Sequence, residues 1–177
     1  MSWLDKILPS RIRAEKENKG SVPEGLWHKC LNCDTVIYRA EFEKNLNVCP
    51  KCNNHGRISA RTRADIVLDA EDRIEIFDNI MPVDMLNFKD KEKYKDKLLS
   101  TQKKTGEKDA MLVFKGNINK IPAIVCIFEY SFFGGSMGSV VGEKFSLAVK
   151  KCIEEKKPLV CFSASGGARM QESLFSL

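Results

Sequence analysis

The apolar positions of this chain change period three times, and each change predicts an element. Residues 111–116 and 123–128 are short continuous apolar runs and predict two buried strands. The polar residues 117–120 between them predict a hairpin turn. From 139 to 156 the period becomes helical: Val141, Phe145, Ala148, Val149, Cys152 and Ile153 share one face, with Lys150, Lys151, Glu154 and Glu155 off it. Pro158 stops that helix, and residues 158–162 predict another short strand. A helix start is predicted at 169–174.

Upstream the pattern is thinner. Residues 60–72 predict a short helix, 74–77 a short strand, and 84–88 a connecting loop after Pro82. Residues 89–104 are dense in Lys and Asp around a stripe of Tyr94, Leu98 and Leu99, which predicts an exposed amphipathic helix ending near Gly106. Short strands are predicted at 26–29, 36–40 and 57–59. Trp3, Leu4, Ile7 and Leu8 predict one amphipathic turn, and the charged residues 10–22 a linker.

Composition adds bounds. The chain has 177 residues, 43% of them hydrophobic, enough for a core. No apolar run has the length of a membrane span, and residues 1–9 lack the apolar core of an export signal. The expected location is the cytoplasm, with no membrane partner. Residues 1–62 carry 11 Lys and Arg against 7 Asp and Glu, and the remainder 18 against 17, so the basic excess is N-terminal.

Seven cysteines are present. Cys30 and Cys33, with Cys49 and Cys52, form two CxxC knuckles. Facing each other, two knuckles offer four thiolates in a tetrahedron, the set that Zn²⁺ accepts with no position left open. The zinc is expected to be structural. His28 and His55 flank the knuckles and are read as surface or supporting residues. Cys126, Cys152 and Cys161 are read as small buried hydrophobes. Lys29, Arg39, Lys44, Lys51, Arg57 and Arg61 leave two readings open: contacts to nucleic-acid phosphates, or a solvated face.

Two glycine-rich stretches remain. The first, Phe133-Gly134-Gly135-Ser136-Met137-Gly138-Ser139-Val140-Val141-Gly142, fits neither a phosphate-binding P-loop nor a dinucleotide fingerprint. Its glycines predict a loop that approaches something closely. The second, Ser163-Ala164-Ser165-Gly166-Gly167-Ala168-Arg169-Met170-Gln171-Glu172, runs from a strand into a helix start. Such a turn leaves backbone N–H groups able to stabilise an enolate or oxyanion. A tight turn with glycines for close packing is the plainer reading. Arg169 is read as pairing either with a substrate phosphate or carboxylate or with a neighbouring acid.

These stretches, with Val22-Pro23-Glu24-Gly25-Leu26-Trp27 before the cysteines and Thr105-Gly106-Glu107-Lys108-Asp109-Ala110, closely resemble the beta subunit of the carboxyltransferase of bacterial and plastid-type acetyl-CoA carboxylase. The resemblance runs from Met1 to Leu177. It implies an α/β fold: a zinc ribbon at 25–58 after an N-terminal segment 1–24, a helical connecting segment at 59–109, and the start of a crotonase-like β-β-α spiral at 110–177. It implies transfer of a carboxyl group from carboxybiotin, on the biotin carboxyl carrier protein, to acetyl-CoA, giving malonyl-CoA for fatty acid synthesis. The implied partners are the carboxyltransferase alpha subunit, the carrier protein and biotin carboxylase.

In that family's mechanism the biotin nitrogen released by loss of CO₂ removes the methyl proton, so no catalytic His or Cys is needed. By analogy with crotonase-fold enzymes, the Gly167 and Ala168 N–H groups become the oxyanion donors. Gly134, Gly135, Gly138, Gly166 and Arg169 become substrate-binding residues. Family chains continue through further β-β-α elements, so the chain is expected to be a truncated form. The alternatives are a zinc-ribbon nucleic-acid-binding protein and a non-catalytic fragment.

Overall fold

A computed structural model describes residues 25–71 and 73–176. The segment 1–24 lies outside the described residues, with its amphipathic turn and linker. The chain divides into two compact units between Gly56 and Arg57. Residues 59–109 fall within the second of these units.

In the first unit, β1 (Trp27–Lys29) pairs antiparallel with β2 (Val36–Tyr38), Trp27 opposite Tyr38 and Lys29 opposite Val36. The predicted strand at 36–40 ends early, because α1 (Arg39–Lys44) begins at Arg39. That helix buries Phe42, whose ring stacks on His28 with centroids 4.0 Å apart. No third ribbon strand forms at 57–59. Its place is taken by a single bridge between Val48 and His55.

In the second unit, α2 (Ala60–Val67) starts at Ser59, whose hydroxyl accepts the Thr62 N–H at 3.1 Å. The buried Glu129 carboxylate accepts the Ala60 N–H at 2.7 Å. β3 (Ile74–Ile76) follows, then α3 (Tyr94–Thr105), which begins five residues later than predicted. Tyr94 and Leu98 are buried, whereas Leu99 is 49% exposed and off the inward stripe.

β4 (Met111–Ile118) and β5 (Ile121–Phe128) form the hairpin. Its turn is tighter than predicted: only Asn119 and Lys120, both at positive φ, join the strands. The Asp69 carboxylate accepts both turn N–H groups, at 3.2 and 2.8 Å, which fixes the register. After α4 (Ser139–Glu155) the chain adds β6 (Leu159–Phe162) parallel to β5. The sheet order is β3-β4-β5-β6.

Both faces of this sheet are covered, which is why its central strands are continuous apolar runs. Met111, Val113, Ile124 and Cys126 pack with residues of α3 and α4. Leu112, Phe114, Val125 and Ile127 pack with Ala60, Ala64 and Leu68. The inward face of α4 is rotated from the predicted one. Val140, Val141, Lys144, Ala148 and Cys152 are buried, while Phe145 and Ile153 are exposed. Lys144 takes an inward position because its ammonium donates to the Met111 carbonyl at 2.8 Å. Burial pulls its pKa down.

Candidate functional site

The first site is the cysteine cluster. Each knuckle is closed by the same local device. The Asp34 N–H donates to the Cys30 carbonyl at 3.0 Å, and the Asn53 N–H to the Cys49 carbonyl at 2.9 Å. Asp34 and Asn53 both sit at positive φ, which their short polar side chains tolerate. The four sulfurs of Cys30, Cys33, Cys49 and Cys52 lie within 4.8 Å of one another. Cys30 and Cys52 Sγ are 3.7 Å apart, as are Cys33 and Cys49 Sγ. A tetrahedron of sulfurs about a zinc ion has edges of about 3.8 Å, so the donor set fits a structural metal ion. Thr35, through its hydroxyl and backbone, draws the Cys33 thiol down to about 6, while burial pushes Cys49 up to about 11. A bound cation removes that spread by taking all four as thiolates.

Two of the ribbon's basic residues are engaged by acids. Lys29 pairs with Asp34 at 2.7 Å and Arg39 with Glu43 at 3.0 Å. In the second unit Arg61 forks onto Glu107 at 2.6 and 2.7 Å and reaches Glu75 at 3.0 Å. The Arg57 guanidinium lies 3.8 Å from the Tyr130 ring centroid.

The second site is the pair of glycine-rich stretches, which form one interlocked structure. The Gly166 N–H donates to the Gly134 carbonyl at 2.9 Å. The Met137 N–H donates to Gly167 O at 2.9 Å, and the Arg169 N–H to Met137 O at 2.7 Å. Met137 and Ala168 thus form a parallel bridge, which turns the Ala168 N–H away from Met137. Gly135 is where the loops touch most closely: a β-carbon there would stand 1.9 Å from the Ala164 carbonyl oxygen.

Of the two expected oxyanion donors, the Gly167 N–H donates to the Ser165 hydroxyl at 3.1 Å. The N–H groups of Ala164, Ser165 and Ala168 have no acceptor among the described residues. The predicted helix after this loop is a 3-10 segment, Met170–Ser176, broken at Ser173 (φ 49°, ψ −127°). So short and kinked a segment contributes little dipole, and whatever the loop offers an anion comes from its individual N–H groups.

Arg169 takes the structural one of its two readings. It is fully buried. Its guanidinium forks onto Asp109 at 2.8 and 2.8 Å. It also donates to Ser136 O at 2.9 Å, Ser136 Oγ at 3.2 Å, Tyr94 Oη at 3.2 Å and Glu172 Oε1 at 3.1 Å. Its donors are used, so the substrate-binding role is set aside. Burial alone would lower its pKa, but Asp109 outweighs burial and holds it above the ordinary value.

Glu172 completes the cluster. Its Oε1 accepts the Tyr94 hydroxyl at 2.6 Å and its Oε2 the Ser139 N–H, at the start of α4, at 2.6 Å. The first N–H of α4 is thereby used within the protein. A β-carbon on Gly138 would stand 2.7 Å from Glu172 Oε1.

Sequence reasoning missed Tyr94, Asp109, Ser136 and Glu172 as partners in this cluster. Tyr94 reads as part of an apolar stripe, and no spacing rule links residues so far apart. Cys126 and Cys152 are buried as expected. Cys161 is exposed instead, and lines an apolar groove of about 520 Å³ with Met137, Gly138, Phe145 and Phe175.

Residues 27–52 match the acetyl-CoA carboxylase zinc finger domain family. The chain is similar in structure to transcarboxylase 12S with methylmalonyl-coenzyme A and methylmalonic acid bound, at 21% identity and TM-score 0.54, over 78% of this chain and 24% of that one. Transcarboxylase 12S with hydrolysed methylmalonyl-coenzyme A matches at 22% identity and TM-score 0.55, over 78% and 23%. A Pseudomonas malonate decarboxylase hetero-tetramer in complex with malonate matches at 26% identity and TM-score 0.49, over 67% and 41%. The chain spans about a quarter of the length of the transcarboxylase chains. Among the described residues no helix is long and apolar enough to cross a membrane. Residues 27–52 are thus a zinc ribbon of the acetyl-CoA carboxylase type, and the mixed α/β unit that follows has the crotonase-like fold that transcarboxylase 12S shares.

Proposed function

We propose that this chain is a beta subunit of the carboxyltransferase of acetyl-CoA carboxylase, acting in the cytoplasm and moving a carboxyl group from carboxybiotin to acetyl-CoA. One observation carries the reading. An acetyl-CoA carboxylase zinc finger and an interlocked pair of glycine loops, with an Ala168 N–H that lacks an acceptor among the described residues, occur on one chain. A protein of similar fold, transcarboxylase 12S, holds methylmalonyl-CoA, which supports a CoA thioester as the substrate class.

Removing a proton from the methyl carbon of a thioester moves negative charge onto the carbonyl oxygen. N–H groups fixed in advance stabilise that charge without reorganising. In this reading the Ala168 N–H is the first donor. The Gly167 N–H is the second, released when the Ser165 hydroxyl rotates away. Gly135 and Gly138 let the loops interlock, since a β-carbon at either would collide, while Gly134 and Gly166, where it would not, remain the proposed substrate-facing glycines. Carboxybiotin, delivered on its carrier protein, supplies the carboxyl group and the proton acceptor. The zinc of the ribbon is structural. The alpha subunit, the biotin carboxyl carrier protein and biotin carboxylase are the proposed partners.

The test is to assemble the protein with an alpha subunit, supply carboxylated carrier protein, and measure malonyl-CoA formed, with propionyl-CoA as competitor. Preferred carboxylation of acetyl-CoA is expected. Failure to carboxylate any acyl-CoA, together with tight and steeply salt-dependent RNA binding, would replace this reading with a nucleic-acid-binding one.

A further inference from the structure

We infer that Glu172 is a positioning residue that fixes the geometry of the 163–168 loop. Its catalytic meaning rests on the reading above. Its physical content does not.

Two elements distant in sequence, and Arg169 three residues upstream, converge on this one carboxylate. Tyr94 at the start of α3 donates to Oε1 at 2.6 Å. Ser139 at the start of α4 donates its N–H to Oε2 at 2.6 Å. Arg169, immediately before the 3-10 segment, donates to Oε1 at 3.1 Å. The Glu172 N–H also returns to the Arg169 carbonyl at 3.0 Å. Glu172 is 4% exposed, so these bonds form with little competition from water.

The bonds set the stretch carrying the Ala168 N–H. Arg169 is held at both its backbone and its guanidinium: its N–H bonds Met137, and its side chain bonds Ser136 and Asp109. Ala168 is the residue between the Gly167 carbonyl and the Arg169 N–H, both bonded to Met137. Its peptide therefore has little freedom so long as Arg169 stays in place. Glu172 ties Arg169 to the start of α4, which directly follows the 136–138 loop. Without the carboxylate, α4's first N–H, the Tyr94 hydroxyl and part of Arg169 lose their common acceptor, and the loops keep only the backbone bonds at Gly134 and Met137 and the Arg169–Ser136 contacts to hold them together.

Glutamine tests this, since it keeps the shape but replaces one acceptor oxygen with a donor. The first measurement is amide hydrogen exchange in this chain, wild type against Glu172→Gln, with Tyr94→Phe as a milder second variant. Exchange at Met137, Ser139 and Arg169 is expected to rise at least tenfold in Glu172→Gln and less in Tyr94→Phe, with β4 and β5 amides unchanged. The second is steady-state kinetics of the assembled enzyme, where kcat is expected to fall at least tenfold with KM for the acyl-CoA nearly unchanged, and Glu172→Asp to recover part of the loss.

Unchanged loop exchange in both variants would overturn the inference, whatever the activity. So would a uniform rise across the whole core, since that marks general destabilisation. If loop exchange rises but the wild-type assembly carboxylates no acyl-CoA, the positioning role stands and the functional reading falls. If loop exchange rises and kcat is unaffected in an active assembly, the catalytic part of the inference is overturned.

Discussion

Arg169 and Asp109 are joined by two hydrogen bonds of 2.8 Å each, and both side chains are fully buried. Removing one partner strands the other charge without water. Arg169→Met is expected to cost about 3–5 kcal/mol. The double variant Arg169→Met with Asp109→Leu should cost less than the sum of the single changes. Urea denaturation of the four proteins checks this, and strict additivity would show that the pair does not couple.

The two glycines Gly135 and Gly142 should respond in opposite ways. At Gly135, φ is +66° and a β-carbon would meet the Ala164 carbonyl at 1.9 Å. Gly135→Ala therefore has to separate the loops, and a loss of at least a hundredfold in carboxylation is expected. At Gly142, inside α4, a β-carbon meets nothing within 4 Å. Gly142→Ala is expected to raise stability by about 0.5–1 kcal/mol through helix propensity. Thermal unfolding and activity of the two variants, side by side, decide it.

The hairpin and the ribbon were legible because each is written in local sequence: two continuous apolar runs in one case, two CxxC spacings in the other. The rest depended on distant partners. Lys144 scores as a surface residue, yet it turns inward to the Met111 carbonyl, and that shifts the buried face of α4 away from Phe145 and Ile153. The run Val36-Ile37-Tyr38 suggested a strand continuing to Ala40. The helix beginning at Arg39 is what buries Phe42 with the cysteine cluster. The sequence placed the glycine loops in order, but their interlocking rests on bonds between residues about 30 apart, which no periodicity encodes.

Metal removal should act on the first unit alone. Among the described residues, the buried core of the ribbon consists of Cys30, Ile37, Phe42 and Cys49, with Cys33 and Cys52 packed against it. That is too little apolar surface to hold the unit without the cross-link that a metal ion provides. A strong chelator, or Cys33→Ser with Cys49→Ser, is expected to release the amides of residues 27–52 to fast exchange and leave those of β4 and β5 protected. Exchange read by mass spectrometry checks it.

Acid should loosen the loop cluster through Glu172. Burial alone would raise its carboxyl pKa, but the Tyr94 hydroxyl, the Ser139 N–H and Arg169 hold it below its usual 4.5. A lowered carboxylate pKa contributes stability that is fully present above the unfolded value and is lost as pH falls through the folded one. The groups facing it are Tyr94, Arg169 and, through Arg169, Asp109. Stability measured from pH 7 down to pH 3 is expected to fall below about pH 4.5, and Glu172→Gln to flatten part of that limb. An identical acid limb in the variant would remove Glu172 as the cause.

The tie between Tyr94 and Glu172 spans 78 residues. Contacts of such separation form late in folding, because the chain between them must first be gathered at an entropic cost. The hairpin β4–β5, closed by two residues, is under no such delay. By that argument the hairpin is expected to form before the Tyr94–Glu172 tie, and the Ala168 amide to take its final orientation after it. A partly folded chain is in this sense silent: it has the hairpin before it has the means to hold a charge.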